Sequence, residues 1–354
     1  MSTASDPELS WHNVTEWGVE GRAWEDHKRL RYFDRMPASA EKGMSLIIDR
    51  LGVASAWEMS RCSAGMMVRF RSVTTKVHIR YRLLNAELAL PHMPATGVSG
   101  VDLYARNELG AWRYVNCIKP TTQDVDTEII SGLIPGDREY ALYLPLYNGV
   151  EHMEIGISSD VEFAELPPRA NPIVFYGTSV TQGGVASRPG ACHSSLLGRR
   201  LDRPVVNLGF SGTGRMNQVV VDHLVQADAS VFVIECSANM NPTLIRERCI
   251  PLVKQLRGAH PHTPILLVED CRRPNAWISP DNRDFVAENH IALRECFNAL
   301  QAESVTGISY ILGDELFGID GEGTTDNVHA NDLGFKRMAD VMEPILREAL
   351  HLND

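Results

Sequence analysis

Ser179 sits between glycines in Ile173-Val174-Phe175-Tyr176-Gly177-Thr178-Ser179-Val180-Thr181-Gln182-Gly183, where an apolar run stops. A serine hydroxyl can attack a carbonyl when a base takes its proton and preset donors receive the charge that develops on the carbonyl oxygen. Candidates for each role follow in order along the chain. In Asn207-Leu208-Gly209-Phe210-Ser211-Gly212, Gly209 can bring a bare backbone N–H close to a ligand. In Glu235-Cys236-Ser237-Ala238-Asn239, the terminal amide can donate to the same oxygen. In Thr325-Asp326-Asn327-Val328-His329-Ala330-Asn331, Asp326 stands three residues before His329. Asp326 can hold the Nδ1–H of His329 so that Nε2 faces the serine as general base, the arrangement that acyl transfer requires.

Each assignment has a plainer rival. A serine after a strand is commonly a turn or cap residue, and Asp326 can be a loop-capping side chain. His193 lies soon after the serine, in Pro189-Gly190-Ala191-Cys192-His193, and competes with His329; only His329 among the 12 histidines has an aspartate three residues earlier. Cys236 reads as small apolar filling. Glu269, Asp270, Asp314 and Glu315 follow strand segments on the same side; they are expected as solvated or Arg272- and Arg273-paired carboxylates, since no His or Cys stands near at metal-ligand spacing.

These groups need a frame. From residue 173, strand segments at 173–176, 205–208, 231–234, 265–268 and 308–312 alternate with helical stretches near 215–226, 243–257, 283–302 and 332–350. Such alternation predicts a parallel sheet covered on both faces, with ligands beyond the carboxyl ends of its strands. Upstream, Lys76-Val77-His78-Ile79-Arg80-Tyr81-Arg82-Leu83 alternates as a strand with one wet face. Asn148-Gly149 predicts a hairpin joining 140–146 to the alternating Met153, Ile155 and Ile157. With 67–71, 101–104 and 112–115, an antiparallel sandwich with little helix is expected. The proline-rich Glu165-Leu166-Pro167-Pro168-Arg169-Ala170-Asn171-Pro172 separates an all-β domain (1–165) from an α/β domain (171–354).

The 354 residues suffice for two domains, and 44% hydrophobic with 22% charged residues is ordinary for a globular protein. A formal charge of −11 argues against nucleic acid as the main partner. No apolar stretch reaches the about twenty residues a membrane span needs, and Met1–Glu8 shows no leader pattern. Seven cysteines without a Cys-x-x-Cys pair read as reduced thiols, so a cytoplasmic location is expected. Trp112, Tyr104, Tyr143 and Tyr147 suit sandwich packing first and sugar stacking second.

Taken in order, the segments holding Ser179, Gly209, Asn239 and the Asp326/His329 pair resemble the conserved blocks of the SGNH hydrolases, the GDSL-type esterases and lipases, over about residues 171–350. Thr178 stands where the family name has an acidic residue, and Ser237-Ala238-Asn239-Met240 departs from the usual Gly-x-Asn-Asp. Gly100-Val101-Asp102-Leu103-Tyr104 resembles the Gly-x-Asp-Leu-Tyr motif of a module preceding one branch of that family, with Asp102 as a turn or interdomain residue. The resemblance implies a flavodoxin-like α/β/α hydrolase domain behind a sandwich or jelly-roll-like domain. It further implies a serine esterase with Ser179, His329 and Asp326 as triad, and Ser179 N–H, Gly209 and Asn239 as oxyanion hole. The implied substrate is a small acyl ester, acetyl foremost, on a carbohydrate or other hydrophilic alcohol. No cofactor or metal is expected, no nucleic-acid or membrane partner, and a homo-oligomer is compatible. Two alternatives stand beside it: an acyltransferase using the same serine, and a non-catalytic carbohydrate-binding protein.

Overall fold

The computed structural model describes residues 8–352; the first seven residues, read above for a leader, lie outside them. Nine strands build the amino-terminal half: β1 (Leu9–Asn13), β2 (Met67–Ser72), β3 (Val77–Leu83), β4 (Asp102–Arg106), β5 (Trp112–Cys117), β6 (Asp124–Ile130), β7 (Arg138–Tyr143), β8 (Val150–Ser158) and β9 (Phe163–Leu166). They form two antiparallel sheets, ordered β1-β8-β3-β6 and β5-β4-β7-β2-β9. Alternation decides the faces: Val77, Ile79, Tyr81 and Leu83 of β3 point inward and meet Val68, Phe70, Leu103 and Leu142 of the other sheet. Helix is short here: a 3-10 turn at Ala38–Ala40, α1 (Glu41–Met44), α2 (Ala56–Ser60) and α3 (Ala95–Val98).

The predicted hairpin at Asn148-Gly149 is corrected by the structure. β7 pairs with β2 and β4, whereas β8 pairs with β1 and β3 in the opposite sheet. The segment between them crosses from sheet to sheet, because the fully buried Asn148 spends its amide on the Asn85 backbone and on Ser99 Oγ instead of on a two-residue turn.

The carboxyl-terminal half holds the strands β10 (Ile173–Gly177), β11 (Val205–Gly209), β12 (Val231–Glu235), β13 (Ile265–Val268) and β14 (Ile308–Ile311), all parallel and ordered β11-β10-β12-β13-β14. This is the doubly wound order whose ligand crevice opens where the winding reverses, beyond β10. Between and after the strands come α4 (Ser179–Gln182), α5 (His193–Arg200), α6 (Gln218–Leu224), α7 (Pro242–Ala259), α8 (Pro280–Ala302) and α9 (Asp332–Ala349). One sheet face buries Tyr176, Leu208 and Phe232 under α6, α7 and α8, together with Trp24, Met36, Met44 and Trp57 from the amino-terminal half. The other buries Phe175, Val233 and Leu266 under α5 and α9.

The outer face of the β5-β4-β7-β2-β9 sheet docks on the α/β half through Asp102. Its fully buried carboxylate accepts from Arg188 Nη1 at 2.7 Å and from Gly190 N at 3.0 and 3.1 Å. Tyr104 donates to Gly190 O, and Arg199 lies 3.9 Å above the Tyr104 ring centroid. Burial pushes the Asp102 pKa up against the pull of Arg188. Removing one partner of a buried pair strands the other. Asp102→Ala is therefore expected to lower the unfolding free energy by about 3 kcal/mol, seen as an earlier urea midpoint. A wild-type midpoint would show that this contact is not the joint between the halves.

Candidate active site

β10 delivers Ser179, the candidate nucleophile. Gly177 closes the strand where a side chain has no room, since an added Cβ would lie 1.9 Å from Thr181 Oγ1. Thr178 N donates to Thr181 Oγ1 at 3.1 Å, and Thr181 Oγ1 donates to Glu235 Oε2 at 2.8 Å, so the turn of α4 is tied to the end of β12. Ser179 opens that turn; its N–H has no intrahelical acceptor and stays available. Tyr147, from the sheet crossover, donates to Ser179 O at 3.0 Å, and burial raises its pKa, which keeps the hydroxyl a donor.

The next loop separates two glycines. Gly209 is buried, and its N–H donates to Asn207 Oδ1 at 2.9 Å, so it is not free to meet a ligand, contrary to the expectation above. The glycine is needed for another reason: a Cβ there would lie 2.1 Å from Gln182 N. Three residues on, Gly212 has φ +66°, a conformation that suits glycine, and its N–H meets no acceptor among the described residues. The flexible-looking Ser211-Gly212-Thr213-Gly214 run was the available signal for it. Gln182 fixes this loop by accepting from Ser211 N at 3.0 Å while donating to Leu146 O at 3.1 Å. Asn239 ends the 3-10 turn Ser237–Asn239 after β12, and its Nδ2 makes one long bond, 3.4 Å, to Gly214 O.

Two arginines of the amino-terminal half brace these loops. Arg35 is 1% exposed and has no carboxylate partner among the described residues. Its guanidinium donates instead to backbone oxygens: Cys62 O at 2.9 Å, Asn207 O at 2.9 Å, Gly209 O at 2.7 Å, and Met59 O. Burial lowers its pKa to about 10, which still leaves it charged at neutral pH. Arg50 donates to Asn239 O at 3.2 Å and Met240 O at 3.4 Å. Neither arginine has a local signature in the sequence.

The candidate base arrives from the loop after β14. His329 Nε2 lies 2.8 Å from Ser179 Oγ, and His329 Nδ1 lies 2.7 Å from Asp326 Oδ2. A carboxylate only accepts, so Nδ1 carries the proton and Nε2 presents its lone pair to the serine. Asp326 Oδ1 also accepts from His329 N at 2.8 Å and Val328 N at 3.1 Å. Burial alone would raise the Asp326 pKa; the His329 bonds outweigh it and the carboxyl ends below its ordinary value. Ser179 is only 7% exposed, whereas the side chains of His329 and Asp326 are 21% and 36% exposed.

The rivals have other work. His193 is fully buried and pairs through Nε2 with Glu235 at 3.1 Å. Burial drives the Cys236 thiol up, away from the reactive thiolate. Glu269 accepts from Arg294, Tyr310 and Gly313 N, and Asp270 pairs with Arg273, while Asp314 and Glu315 are exposed. Tyr104 and Tyr143 are buried under Arg199, which leaves no face for a sugar. A depression of about 370 Å³ lined by Trp24, Arg169 and Pro172 lies at the amino ends of the strands, opposite the triad. All seven cysteines are free, and no helix among the described residues is long and apolar enough to cross a membrane.

Replacing Arg35 with Met removes the donor from four interior carbonyls. At about 1–3 kcal/mol for each unsatisfied group, Arg35→Met is expected to lose more than about 3 kcal/mol in chemical denaturation, and unchanged stability would show that the guanidinium is dispensable.

A family model described as the GDSL-like lipase/acylhydrolase family matches residues 170–347, and one described as the GxDLY N-terminus of SGNH-hydrolase-type esterases matches residues 9–163. No curated protein matches the chain. Among solved structures it is similar to a GDSL-like lipase from Bacteroides ovatus, at 28% identity, covering 98% of this chain and 99% of that one, with a TM-score of 0.89. It shares the fold of a salicylyl-acyltransferase from a tetracycline biosynthetic pathway, at 16% identity, covering 99% and 98%, with a TM-score of 0.72. It likewise shares the fold of an acetyl xylan esterase from Butyrivibrio proteoclasticus, at 12% identity, covering 98% and 100%, with a TM-score of 0.59. The chain thus belongs to the GDSL-like lipase/acylhydrolase family and carries ahead of its hydrolase domain the GxDLY domain of SGNH-type esterases.

Proposed function

We propose that this member of the family is a serine esterase that removes small acyl groups, acetyl foremost, from carbohydrate alcohols. The observation that carries the reading is the unbroken chain from Ser179 Oγ through His329 to Asp326, with bonds of 2.8 and 2.7 Å. Ser179 Oγ attacks the ester carbonyl as its proton passes to His329 Nε2, and Asp326 stabilises the imidazolium through Nδ1–H. The oxyanion meets Ser179 N–H, Gly212 N–H and Asn239 Nδ2; Gly212 takes the place expected for Gly209, whose N–H is committed to Asn207. The imidazolium then protonates the leaving alcohol, and a water activated by His329 frees the acid and restores Ser179.

The exposure gradient supports a small acyl group on a large hydrophilic alcohol. The acyl carbon must approach the nearly buried serine, while the leaving oxygen departs past the open His329–Asp326 side. The acetyl xylan esterase fold neighbour is consistent with this class. A second reading, transfer of the acyl group to an acceptor alcohol, uses the same triad and accords with the acyltransferase fold neighbour.

The test is acetate release from aryl acetate and from O-acetylated oligosaccharides. Ser179→Ala should abolish turnover, Asp326→Asn should lower it about ten-thousandfold by loss of the correct tautomer, and Asn239→Ala should lower kcat about a hundred- to a thousandfold. Turnover that survives Ser179→Ala would overturn the esterase reading, and product that forms only when an acceptor alcohol is added would replace hydrolysis by transfer.

A further inference from the structure

His92 stands beside the catalytic pair with no bond of its own. Pro91 and His92 form the tip of a tight turn whose flanks are pinned by Leu90 N to Met93 O at 2.9 Å and Met93 N to Leu90 O at 3.0 Å, with the Met93 side chain buried. The imidazole of His92 is exposed and makes no hydrogen bond or ion pair with any described residue. Its ring centroid is 5.6 Å from that of His329, at an interplanar angle of 42°. One ligand atom from each of His92, Asp326 and His329 lies within 4.8 Å of the other two. The tip belongs to the amino-terminal half, so this cluster is assembled across the domain joint.

We propose that His92, Asp326 and His329 form a binding site for a zinc-class divalent metal ion, and that its occupation switches the triad off. Two imidazoles and a carboxylate are a donor set suited to zinc, with a fourth position left to water. Bonds of about 2.0–2.2 Å put the donors of a tetrahedral zinc roughly 3.4 Å apart. The His329–Asp326 contact of 2.7 Å opens slightly and the loop tip brings His92 in. Only side-chain rotation and a small shift of an exposed turn are needed.

The switch follows from proton placement. In the working state His329 Nδ1 holds a proton against Asp326, and Nε2 receives the serine proton. A metal ion at Nδ1 takes the lone pair there, so the Nδ1 proton relocates through solvent to Nε2 and the ring stays neutral. Nε2–H then donates to Ser179 Oγ and can no longer accept from it. The metal forms no bond to the serine, nothing is oxidised or reduced, and a chelator that removes the ion reverses the change. The placement of the site rests on geometry alone; its inhibitory consequence rests on the esterase reading above.

Zinc chloride titrated into the intact protein, followed by calorimetry and by aryl acetate turnover, tests the proposal. One equivalent should bind and inhibit, and EDTA should restore turnover. His92→Ala should keep the basal rate yet raise both the Kd and the half-inhibitory concentration by about tenfold or more, the scale of a lost metal ligand. Asp326→Asn should weaken binding comparably in calorimetry, and magnesium should not substitute for zinc. Wild-type zinc affinity in His92→Ala, or the absence of a stoichiometric site, would overturn the proposal. If no ester is turned over at all, calorimetry still decides the metal site, so its fate is separable from that of the esterase reading.

Discussion

β10 is hydrogen-bonded to both β11 and β12 in a register that sets Gly177 directly opposite Gly209 and Glu235. Three adjacent parallel strands therefore end flush, and their loops leave the sheet at one level. This shared register brings the loops that hold Ser179, Gly212 and Asn239 to one edge of the sheet although they lie in segments far apart in the chain. The convergence also demands missing side chains: a Cβ on Gly214 would stand 1.8 Å from Gly177 O, and one on Gly209 would strike the backbone of α4. The glycines around the serine are thus packing requirements of the junction, and Gly212 alone combines positive φ with an uncommitted N–H.

The amino-terminal half is built into this junction. Its Arg35 places an unpaired positive charge inside the protein, a costly act unless every donor finds a partner. The partners are backbone oxygens at the end of β11 and in the segment around Cys62, so the charge bridges the two halves at the start of the Gly212 loop. Tyr147, Gln182 and Arg50 add bonds around the same loops from other directions. Asp102, Arg188 and Gly190 close the joint just ahead of α5. Preorganised donors stabilise a developing oxyanion because they need not reorient when charge appears, and under the proposed esterase reading these contacts are what holds the donors in place.

Three histidine–carboxylate pairs occur among the described residues of the α/β half, His193–Glu235, His290–Glu269 and His329–Asp326, and only the last is both open and aimed at the serine. His193–Glu235 is wholly interior and holds α4 in place; His329–Asp326 lies on a loop with its Nε2 at the serine. The residue types are the same, so access and direction separate a structural pair from a reactive one. The same openness that, in the proposed reaction, lets an alcohol leave past His329 also exposes the pair to His92.

The sequence by itself determined the elements and the candidates for the reacting groups. Period-two alternation marked the sandwich, the apolar runs at 173–176, 205–208, 231–234 and 265–268 became β10 to β13 within a residue, and the Asp326/His329 spacing singled out the base, because each of these is encoded over a few neighbouring residues. α5 is missing from the alternation read off the sequence, since its eight residues make only two turns and hold just two large apolar side chains, Leu196 and Leu197. What only the tertiary structure decided was pairing between distant segments. It sent β7 and β8 into different sheets and brought Arg35 and His92 to the loops of the candidate site. A hydrogen bond between residues more than a hundred positions apart leaves no local pattern to read; it exists only once the register of the sheets has fixed which loops face each other.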